Sequence, residues 1–407
     1  MPFDFISANL AQRAQQNILR QRRCFENRQG ALVKIDGQYM LNFCSNDYLG
    51  LGQSAAVMQA WVDGICLYGA GSGASPLVSG YQHVHAELES YIATHLQRDK
   101  VLLFSSGFAA NQAICQALFT ANKTRATRQS SGLILADKLM HASFIDGALA
   151  SDAVLKRFTH NNMQALQAQL QVIHGANPPK DILIASESVF SMDGDQCPVR
   201  ALVGIAKTNH SWLMIDDAHG FGVLGEQGFG VVEAHQLSQD ELPIVMGTFG
   251  KAIGTAGAFV AGSTELIDYL VNFARHYIYS TAMPAAQAHA TLCSLKENID
   301  PSRRTVLRQR IAQFKSLAMA AKLPVLASDT AIQPLLVGDA GQALAMSRKL
   351  EKLGIWVSAI RSPTVPVGSE RLRITLSALH KESDIEALVQ ALSLCKPVQP
   401  SSDLSHA

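Results

Sequence analysis

The sequence predicts an α/β fold in which a mostly parallel β-sheet is covered by helices and is followed by a smaller α+β domain. Short β-rich runs alternate with helical stretches between residues 101 and 261, and this alternation is typical of strand–helix–strand units. A chain of 407 residues with 48% hydrophobic content can bury a large core. After Pro301 the chain becomes more helical and more charged, which indicates that a second unit begins near this point.

The order of these segments predicts four parts of unequal size. We expect an N-terminal helix and segment over 1–45, a large domain that would bind a cofactor over 46–290, a small C-terminal domain over 291–396, and a tail over 397–407. The sheet of the large domain is predicted from seven apolar or β-branched runs. These runs are 101–104, 133–136, 153–158, 182–185, 212–215, 244–246 and 257–260.

Local signals predict the loops and helix ends between these runs. Polar stretches at 120–131 and 174–180 interrupt the alternation and are predicted to be loops. Gly354 is expected to end a helix of the C-terminal domain, because glycine readily follows the last helical turn. Ser383 and Glu386 have the spacing of a capping box, which predicts where the last helix begins.

The composition excludes several classes of partner. The 34 basic and 33 acidic residues give a formal net charge of +1, so charge gives no argument for nucleic acid or for a membrane surface. The seven cysteines include no C-x-x-C pair, which argues against a disulfide framework and against a zinc site. No segment has the pattern of an export signal or the length of a membrane span. We therefore expect a cytoplasmic protein without bound metal that acts on small molecules.

Residues 6–25 have the apolar periodicity of an amphipathic helix. Its arginines would usually be solvated surface charges, but a guanidinium is also well suited to pair with a carboxylate of a substrate. The phase of the helix decides which arginine could do so, and several remain open. The arginines of this segment are Arg13, Arg20, Arg22 and Arg23.

The glycine-rich run at 69–80 partly matches the dinucleotide-binding pattern G-x-G-x-x-A. That pattern requires a strand before the run and a helix directly after it. No clear strand precedes the run, and Pro76 and Gly80 interrupt the place where the helix should begin. A nicotinamide-dependent oxidoreductase is therefore a disfavoured alternative.

The strongest chemical signal is a lysine and an aspartate that each follow a buried strand. Lys251 lies in a glycine-rich turn after the run 244–246, and Asp216 follows the run 212–215. A lysine in a pocket can form a Schiff base with an aldehyde cofactor, and the ring of pyridoxal phosphate needs a carboxylate beside its nitrogen. A lone lysine of this kind more often extends into solvent, and a lone aspartate can be a turn or cap residue. The combination of both favours a cofactor site.

Three further places along the chain suit the same cofactor. Gly107 begins a helix after the strand that ends at Phe104, and a helix N-terminus can bind phosphate. His141 follows the run 133–136, where its ring could lie on a flat cofactor. Each of these signals is weak when it is taken alone. The third place is a polar run after 182–185 that contains Glu187, Ser191 and Asp193.

Eight sequence blocks occur in the order that is found in one enzyme family. They are NFCSNDYLGL (42–51), YGAGSGASPLVSGYQHVHAELE (68–89), FSSGFAANQA (104–113), SVFSMDGD (188–195), DDAHGFGVLGEQG (216–228), TFGKAIG (248–254), YSTAMPAAQ (279–287) and IRSPTVPVGSERLRIT (360–375). With these blocks the chain resembles the α-oxoamine synthases, which are pyridoxal-phosphate enzymes with the aspartate-aminotransferase-like fold of type I. The resemblance covers about residues 15–393.

The resemblance implies a role for each candidate residue and no metal ligand. The catalytic residues would be Lys251, His141 and Asp216. The cofactor would be held by Gly107, Phe108, His141, Ser191, Asp216, His219, Thr248 and Lys251, with Thr281 reaching the phosphate of the other subunit. The substrates would be bound by Arg20, Asn46, His141, Thr364 and Arg373.

Within the family, the chain is most similar to members that condense L-alanine with a pimeloyl thioester in biotin synthesis and release carbon dioxide. The thioester would be carried on coenzyme A or on an acyl carrier protein, and the enzyme would be a homodimer with its active sites at the subunit interface. Sister synthases that form aminoketobutyrate or aminolevulinate share most blocks, and only Arg20 and the block at 360–375 favour the pimeloyl substrate. A binding protein without activity is disfavoured, because this chain keeps both Lys251 and Asp216.

Overall fold

The computed structural model of the protein describes residues 2–119, 132–175 and 179–395. The predicted loop at 120–131 and the predicted tail at 397–407 lie outside these residues, as does the part 176–178 of the predicted loop at 174–180. Within the described part, no helix combines the length and the apolar character that crossing a membrane requires.

The described residues form fourteen α-helices and fourteen β-strands. The helices are α1 Phe5–Gln15, α2 Ala55–Tyr68, α3 His83–Leu96, α4 Gly107–Phe119, α5 Ala142–Leu149, α6 Met163–His174, α7 Val199–Thr208, α8 Gly230–His235, α9 Thr264–Phe273, α10 Arg275–Ile278, α11 Ala285–Glu297, α12 Ser302–Ala320, α13 Ala340–Lys352 and α14 Glu382–Cys395. The strands are β1 Asn27–Gln29, β2 Leu32–Ile35, β3 Gln38–Asn42, β4 Lys100–Phe104, β5 Leu133–Asp137, β6 Val154–Phe158, β7 Ile182–Glu187, β8 Trp212–Asp216, β9 Ile244–Thr248, β10 Ala258–Gly262, β11 Ile332–Leu336, β12 Ile355–Trp356, β13 Ser358–Ile360 and β14 Arg371–Thr375.

The chain divides into two compact units. The larger unit comprises Leu49–Ser191 and Asp195–Thr305, and the smaller unit comprises the residues up to Tyr48, the segment Met192–Gly194 and the residues from Val306 onwards. The N-terminal segment therefore belongs to the same unit as the C-terminal residues. The domain boundaries expected near residues 46, 291 and 397 remain predictions.

A seven-stranded sheet runs through the larger unit in the order β4-β10-β9-β8-β7-β5-β6. Strand β10 is antiparallel to both of its neighbours, whereas the neighbouring pairs from β9 to β6 are parallel. Each of the seven runs predicted from the sequence falls on one of these strands. The predicted mostly parallel sheet is thus confirmed.

The inner strands are apolar up to their carboxyl ends because both faces of the sheet are covered. Successive side chains of a strand point to opposite faces, and here both sets are buried, with Leu135 in one hydrophobic cluster and Ile134 in another. Continuous apolar runs of this kind are expected of parallel strands with helices on both faces. The edge strand β6 differs, since it exposes Lys156 and Arg157 to solvent.

Two smaller sheets occur in the smaller unit, with the orders β1-β2-β3-β12 and β11-β14-β13. Strand β14 is the middle strand of the second sheet, and all five of its residues are buried. Helix α13 ends at Lys352, and Gly354 follows it with a φ of 77°. The helix end predicted at this glycine is confirmed.

The helix predicted over 6–25 is wrong in its length, because α1 ends at Gln15. Asn17 adopts a left-handed conformation with a φ of 57°, and the N–H of Ile18 donates to the carbonyl of Arg13 at 2.9 Å. These two features define a Schellman ending, which asparagine allows because it enters the left-handed region more readily than most residues. The arginines after Asn17 therefore lie outside the helix.

The capping box predicted for the last helix is also wrong. Helix α14 begins at Glu382, so Ser383 lies inside its first turn. The N–H of Lys381 instead donates to the carboxylate of Asp384 at 2.8 Å. An acid three residues after the cap satisfies the exposed N–H in the way that was expected of Glu386.

The glycine-rich run at 69–80 follows helix α2 rather than a strand, and helix α3 begins only at His83. A dinucleotide fingerprint requires a strand, a tight turn and a helix in direct succession. The fold therefore excludes this reading of the glycine pattern, as the sequence predicted.

Candidate active site

Four parallel strands bring the predicted site residues of the larger unit to one edge of the sheet. Strands β5, β7, β8 and β9 are neighbours in this order, so their carboxyl ends lie side by side, where ligands bind in open α/β sheets. Strand β7 ends at Glu187 and β8 ends at Asp216, while His141 and Lys251 follow β5 and β9 within four residues.

Asp216 is buried and its carboxylate is oriented by two N–H donors. The backbone N–H of Ala218 donates to its Oδ1 at 3.0 Å, and the side-chain amide of Asn111 donates to its Oδ2 at 2.9 Å. The adjacent Asp217 serves another purpose, because its Oδ2 accepts the N–H of Val231 at 2.8 Å and so anchors the start of helix α8. Only the first acid of the pair therefore belongs to the candidate site.

His141 caps helix α5 and is held by Ser143. The backbone N–H of Ser143 donates to Nδ1 of the ring at 3.2 Å, and the hydroxyl of Ser143 lies 2.8 Å from the same nitrogen. A backbone N–H can only donate, so Nδ1 is an acceptor and the proton of the neutral ring lies on Nε2. The amide of Asn111, which binds Asp216, also donates to the Ser143 hydroxyl at 2.9 Å. One chain of hydrogen bonds thus fixes both His141 and Asp216.

Asn111 and Ser143 were not predicted from the sequence, although both are buried and both hold predicted residues. Their positions in the chain carry no separate signal, because each lies within an ordinary helical stretch. The only local hint is that Asn111 lies four residues after Gly107, which places it one helical turn further along α4.

Glu187 is a buried carboxyl group for which the sequence gave no role. It is 3% exposed, and no residue of the described chain donates a hydrogen bond to its Oε1. Burial, and then the neighbouring charge of Asp216, raise the pKa of Glu187 well above 4.5, while the amine of Lys251 acts in the opposite direction. These surroundings favour the neutral form of this side chain.

Lys251 lies in a turn that closes tightly after β9. The N–H of Gly254 donates to the carbonyl of Lys251 at 3.0 Å. Gly254 has a φ of 72°, and a Cβ atom at this position would lie 2.1 Å from the backbone nitrogen of Gly52. Any residue with a side chain would therefore be strained and would clash. The turn keeps Lys251 at the end of β9, beside the strand that ends at Asp216.

The N-terminus of helix α4 approaches the same strand end. A Cβ atom at Gly107 would lie 2.8 Å from the Cγ2 atom of Thr248, so glycine lets the first turn of α4 lie against β9. The first N–H groups of a helix have no partner within it and attract phosphate. Together with an amine, a buried carboxylate and the unpartnered Oε1 of Glu187, this cradle fits pyridoxal phosphate.

The remaining predicted contacts of the cofactor in the larger unit differ in their exposure. His219 is buried, at 8% exposure, on the turn after β8. Ser191 is half-buried in the hairpin that follows β7, Phe108 is 46% exposed, and Thr281 is exposed between α10 and α11. Among the described residues, no group of three or more His, Cys, Asp or Glu side chains could hold a metal ion.

In the smaller unit, the predicted substrate residues occur as two pairs. Arg373 lies on β14 with 8% exposure, and its Nη1 donates to Oδ1 of Asn46 at 3.1 Å. Arg20 donates to the hydroxyl of Thr364 at 3.2 Å. The structure thus brings Asn46 to Arg373 and Arg20 to Thr364, and their roles in binding substrate remain predictions. The other arginine of β14, Arg371, forms an ion pair with Asp193 instead.

The contacts of the N-terminal arginines distinguish between them. Arg23 forms ion pairs with Asp36 and with Glu351, both at 3.2 Å. Within the described part of the chain, Arg20 forms no such ion pair, and its charge acts on Arg361. Desolvation lowers the pKa of Arg361, and the charges of Arg20 and Arg348 lower it further. A cluster of cations without an acid suits an anionic ligand.

Comparison with known proteins gives a consistent result over nearly the full chain. The family model described as aminotransferase class I and II matches residues 38–392. The 8-amino-7-oxononanoate synthase of Aeromonas hydrophila subsp. hydrophila is 47% identical over 403 residues, which cover 98% of this chain and 95% of that protein.

Solved structures agree with this comparison. The crystal structure of 8-amino-7-oxononanoate synthase from Francisella tularensis is 31% identical, with a TM-score of 0.72, and covers 87% of this chain and 97% of that one. The serine palmitoyltransferase of S. paucimobilis has a TM-score of 0.87 and covers 97% of each chain, and at 24% identity it supports the shared fold alone.

Proposed function

Because the chain belongs to the class I and II aminotransferase family and, within it, to the 8-amino-7-oxononanoate synthases, we propose that it condenses L-alanine with a pimeloyl thioester. The reaction releases carbon dioxide and forms 8-amino-7-oxononanoate for biotin synthesis. The fold of type I and the family that the sequence resembles are both confirmed. Pyridoxal 5'-phosphate is the cofactor of this family.

The observation that carries the proposal is the position of Asp216 and Lys251 at the ends of neighbouring parallel strands. When bound, pyridoxal phosphate supplies an aldehyde for an amine and a ring that withdraws electrons from the α-carbon of an amino acid. The Asp216 carboxylate would keep a proton on the ring nitrogen, and its two N–H donors orient it for this task. The Nζ atom of Lys251 would hold the cofactor and would supply the base for the α-proton of alanine.

Other residues of the larger unit orient the cofactor. Gly107 and Phe108 would offer the N–H groups of the first turn of α4 to the phosphate, and Thr248, whose Cγ2 lies against Gly107, would hold it with them. The ring of His141 would lie on the cofactor, and its Nε2–H would be a donor for an acyl carbonyl. His219 and Ser191 contact the phenolic oxygen, as the family resemblance implies.

Residues of the smaller unit select the substrates. Arg373 binds the carboxylate of alanine, since it lies on β14 with its Nη1 held by Asn46, and a guanidinium can form a bidentate pair with a carboxylate. Arg20 binds the free carboxylate at the far end of the pimeloyl chain, and Thr364 orients Arg20. The choice of Arg20 over Arg23 is supported by the two ion pairs that already neutralise Arg23.

The active enzyme is a homodimer in which Thr281 of one copy reaches the cofactor phosphate of the other, as the family resemblance implies. The exposure of Thr281 is compatible with this role. A reducing cytoplasm is the expected location, and the seven cysteines of the chain are unpaired.

One experiment tests the activity and separates it from that of sister synthases. The purified protein is incubated with L-alanine and with acetyl, succinyl and pimeloyl thioesters, each carried on coenzyme A or on an acyl carrier protein. The product is identified by its mass. We expect 8-amino-7-oxononanoate from the pimeloyl donors and little product from the shorter ones. Aminoketone formed mainly from acetyl or succinyl donors would contradict the proposed substrate.

A further inference from the structure

One histidine outside the site described so far is bound between two carboxylates. His160 follows the edge strand β6, and its Nδ1 lies 2.9 Å from Oδ1 of Asp137 while its Nε2 lies 2.8 Å from Oδ2 of Asp195. Asp137 is fully buried, and the side chains of His160 and Asp195 are 24% and 31% exposed. The ring also packs edge-to-face on Phe190, with 4.4 Å between the ring centroids.

The partners of His160 require a proton on each ring nitrogen. A carboxylate oxygen only accepts hydrogen bonds, so a ring that binds a carboxylate at both nitrogens is an imidazolium. The two oxygens of Asp137 also accept hydrogen bonds from the backbone N–H groups of Leu139 and Asn161, each at 2.8 Å. The side-chain amide of Asn161 donates to Asp195 at 2.7 Å.

The first carboxylate belongs to the loop that leads to His141. Asp137 ends β5, its Oδ1 holds the N–H of Leu139, and its carbonyl accepts the N–H of Met140 at 3.1 Å. The next residue is His141, the cap of α5. Asp137 therefore fixes the path of the chain from the sheet to the ring that would lie on the cofactor.

The second carboxylate belongs to the hairpin that carries Ser191. The N–H of Phe190 donates to the carbonyl of Asp195 at 2.9 Å, and Val189 pairs with Gln196 in an isolated antiparallel bridge. The backbone of Asp195 thus helps to close the hairpin, while its side chain contacts His160. Ser191 lies between these closing contacts.

We infer that His160 is a positioning residue that ties the loop carrying His141 to the hairpin carrying Ser191 through two charged hydrogen bonds. The amide of a glutamine has both of its N–H donors on one nitrogen, whereas the imidazolium has them on opposite sides of the ring. Such a side chain can reach only one of the two carboxylates, and the other would lose its bond to residue 160. Asp137 and Asp195 would then repel each other across the position of the ring. The inference rests on the proposed function in that it assigns both loops to the cofactor site.

Hydrogen exchange followed by mass spectrometry tests whether His160 holds the two loops together. It is measured in the holoenzyme and in the cofactor-free chain. In His160→Gln we expect faster exchange in both the peptide 138–143 and the peptide 188–197. In Asp195→Asn only the hairpin peptide should exchange faster, because His160 still holds Asp137. Arg200→Ala is the control, since it removes a surface ion pair with Glu241 in the same unit, and it should change neither peptide.

The functional arm measures the dissociation constant of the cofactor, the visible circular dichroism of the bound cofactor, and the two kinetic constants. In His160→Gln we expect turnover to fall on the order of ten-fold to a hundred-fold, because misplacement of positioned groups is costly. The cofactor dichroism should change as well, while the Michaelis constant for the acyl donor stays near its wild-type value. Arg200→Ala should leave all four quantities unchanged.

Two outcomes would overturn the inference. Exchange in His160→Gln that rises equally in all peptides, or in neither loop, would show that the histidine only stabilises the fold. Looser loops with unchanged turnover and dichroism would show that they do not position the cofactor. A wrong assignment of the acyl substrate would leave the exchange results unaffected, so the two failures can be distinguished.

Discussion

Glu187 and Asp216 are partners in the register of the parallel strands β7 and β8, so their side chains leave the sheet on the same face. Both are buried, at 3% and 4% exposure. Two neighbouring buried carboxyl groups do not both ionise easily. Asp216 accepts two hydrogen bonds from N–H donors, whereas Glu187 accepts one from the backbone of His141 and its Oε1 accepts none from the described residues. Glu187 is therefore the carboxyl group that keeps its proton.

Glu187→Gln should preserve the site because it replaces a neutral acid with a neutral amide of the same shape. We expect turnover and cofactor affinity within about five-fold of the wild type, since one altered hydrogen bond contributes about 1 kcal/mol. The variant should also alter the dependence of stability on pH. The raised pKa means that the folded state holds this proton above pH 4.5, where the unfolded state releases it.

The stability of the wild type should therefore fall as pH rises from 4.5 through the raised pKa of Glu187, and this component should be missing in Glu187→Gln. Urea unfolding of both proteins across the pH series measures the difference. Loss of cofactor or of activity in the glutamine variant would mean that the site needs a charged carboxylate at this position.

Asp216→Asn makes the same acid-to-amide change at the residue that pairs with Glu187 in the strand register. Unlike Glu187→Gln, it should strongly reduce activity. The variant should fold and bind cofactor, but its turnover should fall about a hundred-fold or more, because an amide cannot hold the ring proton by charge. Steady-state kinetics and the cofactor absorbance after addition of alanine measure the effect. Near-normal turnover would show that the ring does not depend on this carboxylate.

Lys251 should carry the cofactor covalently. Reduction of the holoenzyme with borohydride, followed by peptide mapping, should place the label on the peptide that contains this residue. Lys251→Ala should give no label, and Lys207→Ala, on the exposed end of helix α7, should label normally. Label on another lysine in the wild type would refute the proposed mechanism.

Arg20→Ala should weaken binding of the pimeloyl donor without affecting the reaction with alanine. A charge-assisted pair with a carboxylate corresponds to about ten-fold to a hundred-fold in the apparent acyl affinity. An uncharged acyl chain of equal length should lose little affinity. Exchange of the alanine α-proton with solvent should stay near the wild-type rate. The kinetic constants for the two donors measure the contrast.

Arg22→Ala provides the control for this change, because it removes the same charge two residues along the chain. An equal loss for both donors in Arg20→Ala would mean that Arg20 contacts the carrier or supports the fold. A larger effect at Arg22 would transfer the proposed role to that residue.

The fold should become less stable in alkaline solution, because His160 loses its positive charge there. Desolvation acts to lower its pKa, but the hydrogen bonds and charges of Asp137 and Asp195 outweigh this and raise the pKa to about 10. The ion pairs therefore contribute fully below pH 6.5, the ordinary pKa of histidine, and their contribution is lost as pH rises through about 10. The difference in unfolding free energy between the wild type and His160→Gln should shrink over this interval. A constant difference up to pH 11 would refute the assignment of this charge.

The parts of the structure that the sequence predicted are those encoded by local patterns. A continuous apolar run can be recognised in the sequence of one strand alone. All seven central strands could therefore be located, together with residues near their ends such as Asp216 and Lys251. The end of α1 was missed because its signal is one asparagine with a left-handed backbone, and apolar periodicity gave no reason to stop there.

The contacts that hold the site could not be predicted in the same way. Asn111 reaches Asp216 across 105 positions of the chain, and Arg20 reaches Thr364 across 344. No pattern within one helix or strand encodes such a pair. The role of Glu187 was missed for a related reason, since its neutral form follows from the strand beside it and from complete burial.

The charged edge strand β6 has a consequence for the folding of the chain. A parallel sheet is assembled from strands that are distant in sequence, and such sheets form slowly. During this time, the open edge of β6 could pair with another molecule and start aggregation. The positive charges of Lys156 and Arg157 oppose such pairing. The edges of two molecules would bring like charges together, and both side chains would have to give up bound water. His160 lies two residues after the carboxyl end of the same strand, so one short segment carries both the charges that oppose aggregation and the histidine bound to Asp137 and Asp195.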